Sequence, residues 1–251
     1  MHYISAFIIH KSIEIINTIL YNYKGDYMKY FYSWGLLFVL PFTIYAYIKA
    51  DKNVRLKMMI FGSIFGLMAV IFDYMYLNYW NPVYLFDNFH FEDFMYGFLF
   101  AGILPGINNI FGRYKMKGKL KANYILGFIC IFLIVAIFYL ITVILKCNYI
   151  YALSLAPLII GIISYIKVKG KITDVLVTII ASLTITILVY NIILIIYPGT
   201  INNHFLIQNI SGIIILNIPI EEILFAICIA VGCTYTYEAG FNQEIIRKKQ
   251  S

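Results

Sequence analysis

The chain has 251 residues, enough for one or two ordinary domains, but its composition is not that of a soluble protein. Hydrophobic residues make up 62% of the chain and charged residues only 12%, whereas a soluble domain carries about 25% charge. The mean hydropathy is +0.84. These values exclude a disordered chain and indicate a protein whose solvent is mostly lipid.

The net charge is +7, a balance that in other contexts suggests a nucleic-acid partner. Here the basic residues stand in short clusters between apolar runs, which is the pattern of membrane topology. No nucleic-acid partner is therefore expected. The four cysteines form no C-x-x-C pair, so neither a disulfide framework nor a metal site is predicted.

Seven apolar runs are long enough to cross a hydrocarbon core of roughly 30 Å as α-helices. They are predicted at 31–49, 58–79, 92–112, 123–145, 149–167, 174–197 and 219–237. The predicted fold is thus an all-α integral membrane protein. Its predicted units are an N-terminal interfacial segment, a first three-helix repeat, a linker helix, a second three-helix repeat and a basic cytoplasmic tail, at 1–28, 29–112, 113–148, 149–240 and 241–251.

The basic clusters predict the orientation of these helices. Most of the 19 Lys and Arg residues fall at 49–57, 113–121, 167–171 and the C-terminal tail, which alternate spans place on one side. The positive-inside rule puts that side in the cytoplasm. We therefore expect a multi-pass protein of the plasma membrane, with its N-terminus outside and its C-terminus cytoplasmic.

The two halves of the chain are related by an internal sequence repeat. The first and fifth spans both contain a proline, Pro41 or Pro157, and both end in Tyr-Ile-Lys, at Lys49 and Lys167. The offset is 118 residues (167 − 49). Because three spans are an odd number, the linker helix restores the direction of the chain and makes the repeats parallel. A site is expected at the interface of parallel repeats.

Two acidic pairs each stand at the start of a predicted span. The seventh span opens with Pro219, Glu221 and Glu222, and the third opens with Glu92 and Asp93. Proline suits the first turn of a helix, and carboxylates suit the positive end of its dipole. Water-facing helix caps would explain one such pair. Two pairs at equivalent places of a repeat indicate a functional site instead.

Only one carboxylate of each pair can face the interior directly, because successive helix residues point about 100° apart. We expect Glu92 and Glu221 to face inward, each followed one turn later by an aromatic residue, Tyr96 or Phe225. Two neighbouring carboxylates in a low dielectric do not both ionise easily. One of them should therefore keep its proton near neutral pH.

A third acid lies within a predicted membrane span. Asp73 stands within the second span, roughly 10 Å along a helix from Trp80 at about 1.5 Å per residue. An acid inside a membrane usually marks a site or a proton path. At the offset of the repeat Asp73 maps to Asn191, so the alternative is a polar pair that only locks two helices. His204, in an outside loop, is expected to be solvated.

Small residues and one proline predict details of packing. Gly62-x-x-x-Gly66 and Gly102-x-x-x-Gly106 have the spacing of close helix contacts. Pro105 is expected to kink the third span.

The doubled acidic motif, after an intramembrane aspartate and a tryptophan, resembles the integral-membrane lycopene cyclases. That family occurs as paired three-helix subunits and as fused chains, and the likeness covers both halves of this chain, about residues 31–240, so it implies a fused form. The matching positions are Pro219, Glu221, Glu222 and Phe225, then Asp73 and Trp80, then Glu92 and Asp93. The chain departs from the family pattern at His90, where the family has proline, and at Asn191, where it has aspartate.

The resemblance implies a redox-neutral cyclisation of the linear end groups of a carotenoid such as lycopene. An acid protonates the terminal alkene, a ring closes through a tertiary carbocation, and a base removes a proton. The implied general acid is Glu221, and the implied base or cation stabiliser is Glu92. Supporting acids would be Glu222, Asp93 and Asp73, and substrate contacts would be Trp80, Tyr96, Phe225 and Asn191.

No G-x-G-x-x-G fingerprint occurs, so no flavin or nicotinamide cofactor is expected. The expected partners are membrane lipid and a hydrophobic polyene, and homo-oligomerisation stays open. Two alternatives remain. One is a cyclase of another isoprenoid, such as a prenylated quinone or a meroterpenoid. The other is a proton-coupled transporter, although the sparse polar residues of these helices do not suggest a polar lumen.

Overall fold

The structure is a computed structural model that describes residues 30–73, 79–85, 90–117 and 121–247. Helices make up 75% of the structure. Within the described part, five helices are long and apolar enough to cross a membrane: Lys52–Phe72, Tyr124–Ile144, Tyr149–Lys167, Ile172–Ile196 and Ile220–Gly240. The predicted interfacial segment at 1–28 and the last residues of the predicted tail lie outside the described residues.

The long helices follow the predicted order. They are α1 (Phe31–Lys49), α2 (Lys52–Asp73), α5 (Tyr124–Phe138, continued by a π-helical stretch, Tyr139–Ile144), α6 (Tyr149–Lys167), α7 (Ile172–Ile196) and α9 (Ile220–Gly240). Short elements join them. They are α3 (Phe91–Tyr96), α4 (Ile107–Ile110), α8 (Thr200–His204), β1 (Tyr114–Lys117), β2 (Ile214–Ile215), β3 (Ile218–Pro219) and β4 (Glu244–Arg247).

The second helix begins earlier than predicted. The expected span was 58–79, but α2 starts at Lys52, so Lys57 belongs to the helix and not to the preceding basic loop. The loop prediction relied on charge alone, and charge does not exclude a residue from the first turns of a helix. The part of the expected span at 74–78 lies outside the described residues.

The third predicted span is not one α-helix. Its path passes from α3 through a π turn, Gly97–Ala101, and a 3-10 turn, Leu104–Gly106, into α4. The 3-10 turn contains Pro105, which lacks the N–H that an α-helix would need there. The α-helix is interrupted at Pro105, where the kink was predicted, and this interruption explains why the path is not one of the five long apolar helices.

Glycines set the closest helix contacts, as the small-residue spacing predicted. An added Cβ on Gly62 of α2 would lie 2.7 Å from the Phe98 carbonyl oxygen. In the second half, a Cβ on Gly232 of α9 would lie 2.7 Å from Pro157 Cβ of α6. These two close contacts join the second and third helices in one half, and the first and third helices in the other.

At one end of the bundle the basic segments gather around buried ion pairs, and we call this the basic end. Lys57 Nζ lies 2.5 Å from Glu238 Oε1, and both side chains are fully buried. Arg113 Nε lies 2.8 Å from Asp174 Oδ1. Here β1 also pairs antiparallel with β4, joining the segment before α5 to the segment after α9.

At the opposite end, which we call the acid end, loops from the two halves are joined. Trp80 and Phe205 form an isolated β-bridge. On either side of it the Asn81 amide donates to the His204 carbonyl at 2.8 Å, and the Leu206 amide donates to the Tyr79 carbonyl at 2.9 Å. His204 is only 8% exposed, so the expectation that it is solvated is wrong. The backbone pairing of the two loops covers its ring.

Candidate active site

A cavity of about 890 Å³ runs through the bundle between the two halves of the chain. This volume is near the upper limit of ordinary small-molecule sites, about 300–1,000 Å³. The wall is almost entirely apolar and rich in aromatic rings. At the acid end those rings are Tyr32, Tyr79, Trp80, Tyr96, Tyr190, Phe205 and Phe225.

Two carboxylates lie on this wall, and they are the second members of the two acidic pairs. Asp93 comes from the first turn of α3 and Glu222 from the first turn of α9. They are the only acids among the described residues that line the cavity. The repeat therefore brings one carboxylate from each half to a single apolar chamber.

Asp93 is held by groups from its own half of the chain. The Tyr32 hydroxyl of α1 donates a hydrogen bond of 2.5 Å to Asp93 Oδ1. The imidazole Nδ1 of His90 lies 3.7 Å from the other carboxylate oxygen. Asp93 is only 6% exposed, and such a buried acid needs these partners to keep a fixed position.

Glu222 is held by two tyrosines from different halves. The Tyr79 hydroxyl donates to Glu222 Oε1, and the Tyr190 hydroxyl of α7 also hydrogen-bonds to this carboxylate. Burial raises the pKa of Tyr79 well above its ordinary value, and the neighbouring Glu222 charge raises it further. Tyr79 therefore stays protonated and is a permanent donor to the carboxylate.

Tyr96 connects the two acids. It interacts electrostatically with both Asp93 and Glu222. Its hydroxyl donates to the Tyr32 carbonyl at 3.1 Å, and its ring stacks on that of Tyr32 with centroids 4.5 Å apart. The two carboxylates thus share one aromatic neighbour, which places them in the same part of the cavity.

The first members of the pairs have a different environment, and it is the same in both halves. Glu92 Oε1 accepts from the Leu85 amide at 2.6 Å and from the Ser33 hydroxyl at 2.7 Å. Glu221 Oε1 accepts from the Ser211 amide at 2.9 Å and from the Tyr151 hydroxyl at 3.1 Å.

Both of these glutamates are 1% exposed. Each fastens the loop before its helix to the first helix of its own half. Ser33 and Tyr151 are themselves 118 residues apart, the offset of the repeat (151 − 33).

The expectation that Glu92 and Glu221 face the cavity is therefore wrong. In each half a backbone amide of the preceding loop donates a hydrogen bond to the first carboxylate of the pair. The next residue of the helix, and not the first, then lines the cavity. Sequence spacing gives the angle between neighbouring residues, but not the direction from which the preceding loop returns.

The structure brings some of the other predicted site residues to the cavity and not others. Trp80, Tyr96 and Phe225 line it as predicted. Asn191 is not among its lining residues, and its amide donates to the Ile187 carbonyl of its own helix at 2.8 Å. Asp73 is the last residue of α2, and its side chain lies outside what the structure describes.

Sequence reasoning missed the three tyrosines that hold the wall acids, Tyr32, Tyr79 and Tyr190. Tyrosines near helix ends are common in membrane proteins as interfacial anchors, so their position alone carried no signal. Within the described residues, no three His, Cys, Asp or Glu side chains are grouped closely enough to hold a metal ion.

Comparison with known proteins gives one finding. The family model described as lycopene cyclase matches residues 148–239, which are α6, α7, α9 and the loops between them. Searches of curated proteins and of solved structures each found no match. The matched segment supplies Glu222, Tyr190 and Phe225 to the cavity. Residues 148–239 of this chain are therefore similar to the lycopene cyclase family.

Proposed function

We propose that the chain catalyses a redox-neutral, acid-catalysed cyclisation of the end group of a linear carotenoid such as lycopene. The observation that carries the proposal is the pair Asp93 and Glu222 on the wall of an apolar, aromatic cavity. The match of residues 148–239 to the lycopene cyclase family model supports the carotenoid as the substrate class.

The reaction needs one proton donor, one proton acceptor and no change of oxidation state. A carboxylic acid gives its proton to a terminal alkene carbon, which leaves a tertiary carbocation. The neighbouring alkene attacks this cation, a carbon–carbon bond closes the ring, and a new tertiary carbocation forms. A carboxylate then removes a proton beside it and restores an alkene. The proton count is balanced, because one proton is taken up and one is released.

Asp93 and Glu222 suit this exchange because they lie in one low-dielectric chamber. Placing two negative charges in such a chamber is costly, so we assign one of the two as the acid and the other as the base. A tyrosine hydroxyl donates to each of the two carboxylates, and the His90 imidazole lies beside Asp93. The resulting pair contains one acid and one base before the substrate binds.

The aromatic rings supply the other requirement, stabilisation of a cation without a nucleophile. Faces of Trp, Tyr and Phe attract a positive charge within about 6 Å. Trp80 contacts Tyr32 edge-on at 5.0 Å and lies 4.8 Å from the Phe205 ring. This cluster borders the wall acids, so a cation formed there would meet π faces and little water.

In this proposal Glu92 and Glu221 are positioning residues. They fix the starts of α3 and α9 and thereby aim Asp93 and Glu222 into the cavity. The assignment from sequence, with Glu221 as general acid and Glu92 as base, stays a prediction that the same experiment decides. Asp73 stays a predicted member of the proton path.

The architecture that we propose is the predicted one, seven membrane-crossing segments in two parallel three-helix repeats with α5 as linker. The matched environments of Glu92 and Glu221 support it. The basic end would then face the cytoplasm by the positive-inside rule, and the acid end would lie at the outer side.

The experiment is pigment analysis after expression in a host that accumulates lycopene, followed by assays of isolated membranes. The wild-type chain should form a cyclic carotenoid without added flavin or nicotinamide. Glu222→Gln and Asp93→Asn keep side-chain size and remove the exchangeable proton. Each should lower the rate by at least about 10²-fold, the lower range for acid–base catalysis.

Glu221→Gln and Glu92→Gln are the matched comparison. Their amides keep one acceptor oxygen for the Ser211 or Leu85 amide, so we expect smaller losses than for the wall acids. Wild-type rates in both wall variants would refute the mechanism. Loss of turnover in Glu221→Gln alone would restore the assignment made from sequence.

A further inference from the structure

The cavity is much longer than the part that holds the two acids. Its wall includes Glu222 at the start of α9 and Gly240 at the end of that helix, eighteen residues apart. At a rise of about 1.5 Å per residue this is roughly 27 Å. The cavity therefore runs from the acid end of the bundle to the basic end, nearly the thickness of a hydrocarbon core.

Only the acid end is equipped for proton transfer. Among the described lining residues, both acids belong to the first turns of α3 and α9. The far end is formed where α5 begins and α9 finishes, and the Asn123 amide joins the two by donating to the Gly240 carbonyl at 2.7 Å. It is lined by small, apolar and neutral groups, among them Asn123, Gly127, Thr236, Gly240 and Phe241.

We propose that this far end is a second subsite, which receives the opposite end of the polyene and thereby limits the length of chain that the enzyme accepts. The inference rests on the proposed function and goes beyond it. A conjugated polyene is a stiff rod, so an end group held between Asp93 and Glu222 directs the rest of the molecule along α9. The remote end then lies beside Gly240 and Phe241.

Two glycines make the far end open to an experiment. A Cβ added to Gly240 or to Gly127 would meet no atom within 4 Å. Both residues line the cavity, Gly240 from α9 and Gly127 from α5. A Cβ at either position therefore requires no helix to move, and we expect a larger side chain there to take up space at the far end.

The matched control lies on the same helix as Gly127. Ile125 of α5 is 74% exposed and is not among the residues that line the cavity. Ile125→Phe adds an aromatic ring to α5 on its outer face. It places a phenylalanine on the same helix and leaves the far end free.

The experiment compares lycopene with a shorter acyclic polyene that carries the same end group. Two readouts are taken for each: cyclic product formed in membranes, and polyene retained by the purified full-length protein. Gly240→Phe and Gly127→Phe should reduce both readouts for lycopene by at least about tenfold, equivalent to about 1.4 kcal/mol. Both readouts for the shorter polyene should stay within about twofold of the wild-type values. Ile125→Phe should change neither readout for either polyene.

Equal losses for the two polyenes, or no loss for either, would overturn the subsite. The proposed function fails separately. Suppose that the wild-type protein retains lycopene without cyclising it, and that the glycine variants retain less lycopene but as much of the shorter polyene. The subsite is then supported and the proposed cyclase function is refuted. If the glycine variants cyclise both polyenes at wild-type rates, the cyclase stands and the subsite falls. A wild-type protein that neither retains nor cyclises either polyene overturns both.

Discussion

Tyr79 donates its hydroxyl hydrogen bond to Glu222, a residue 143 positions further along the chain and in the other half of the molecule. Tyr79 itself is 4% exposed and belongs to the loop that pairs with the segment at 204–206. The position of one wall acid thus depends on a residue from the opposite repeat.

Tyr79→Phe removes this donor and keeps the ring. A hydrogen bond to a charged group contributes about 1.5–3 kcal/mol, so turnover should fall by about tenfold or more. Product formation in membranes is the measurement. Tyr149→Phe is the control, because Tyr149 also lines the cavity and its ring contacts Tyr79 edge-on. Equal losses in both variants would mean that the hydroxyl of Tyr79 has no special role.

The buried ion pair at the basic end predicts a non-additive effect on stability. Removing one partner of a buried pair leaves an unpaired charge and costs about 3–5 kcal/mol, whereas replacing both by apolar residues is often neutral or stabilising. Glu238→Leu should therefore lower the melting temperature strongly. Adding Lys57→Met should recover most of that loss.

Thermal unfolding of the two single variants and the double variant in detergent checks this prediction. The Tyr114 hydroxyl also donates to Glu238 Oε1, at 3.2 Å, so recovery in the double variant should be incomplete. Single and double variants of equal stability would show that the pair contributes nothing.

The contact between α6 and α9 predicts a packing defect. A Cβ on Gly161 would lie 2.4 Å from the Val231 carbonyl oxygen, which is backbone and cannot turn aside. Gly161→Ala should therefore destabilise the fold by about 1–3 kcal/mol, the usual range for overpacking.

Gly127→Ala is the matched control for Gly161→Ala, since a Cβ there is free and alanine favours a helix over glycine by about 1 kcal/mol. Thermal unfolding of the two variants should move in opposite directions. A stable Gly161→Ala variant would contradict the close contact.

His204 predicts a dependence of stability on pH. Burial lowers the pKa of His204, and the Asn81 carbonyl near its Nδ1 offsets only part of that effect. The folded state therefore favours the neutral ring. The unfolded chain gains a proton as the pH falls through about 6.5, before the folded chain does, so stability should decrease on acidification below that value.

Melting temperatures measured at pH values from about 7.5 down to about 5 test this. His204→Gln should flatten the dependence, since glutamine does not titrate. An unchanged slope in the variant would assign the dependence to other groups.

Much of the helical framework was predictable from the sequence. The linker span expected at 123–145 is the helical stretch Tyr124–Ile144, and the span at 149–167 has the bounds of α6. Long apolar runs determine where a helix exists in lipid, because an unpaired backbone is too costly there. The third span was harder, since its π and 3-10 turns depend on tertiary contacts and not on hydropathy.

The site was predicted in outline and missed in detail. Both acidic pairs stand at helix starts beside one cavity, as the repeat suggested. The choice within each pair failed because the amides of Leu85 and Ser211 decide it. The antiparallel pairing of β1 with β4 was also missed. Four residues with weak alternation of apolar and polar side chains, such as Tyr-Lys-Met-Lys, do not predict a strand.

That pairing has a consequence for how the chain could be divided. β1 follows the first three-helix repeat and β4 follows the second, and their register runs from Tyr114 opposite Arg247 to Lys117 opposite Glu244. A polypeptide broken between Lys117 and Asn123 would leave one strand on each fragment. Two separately synthesised pieces would then carry matching edges beside the Lys57–Glu238 pair, and could reassemble in the bilayer without a covalent link.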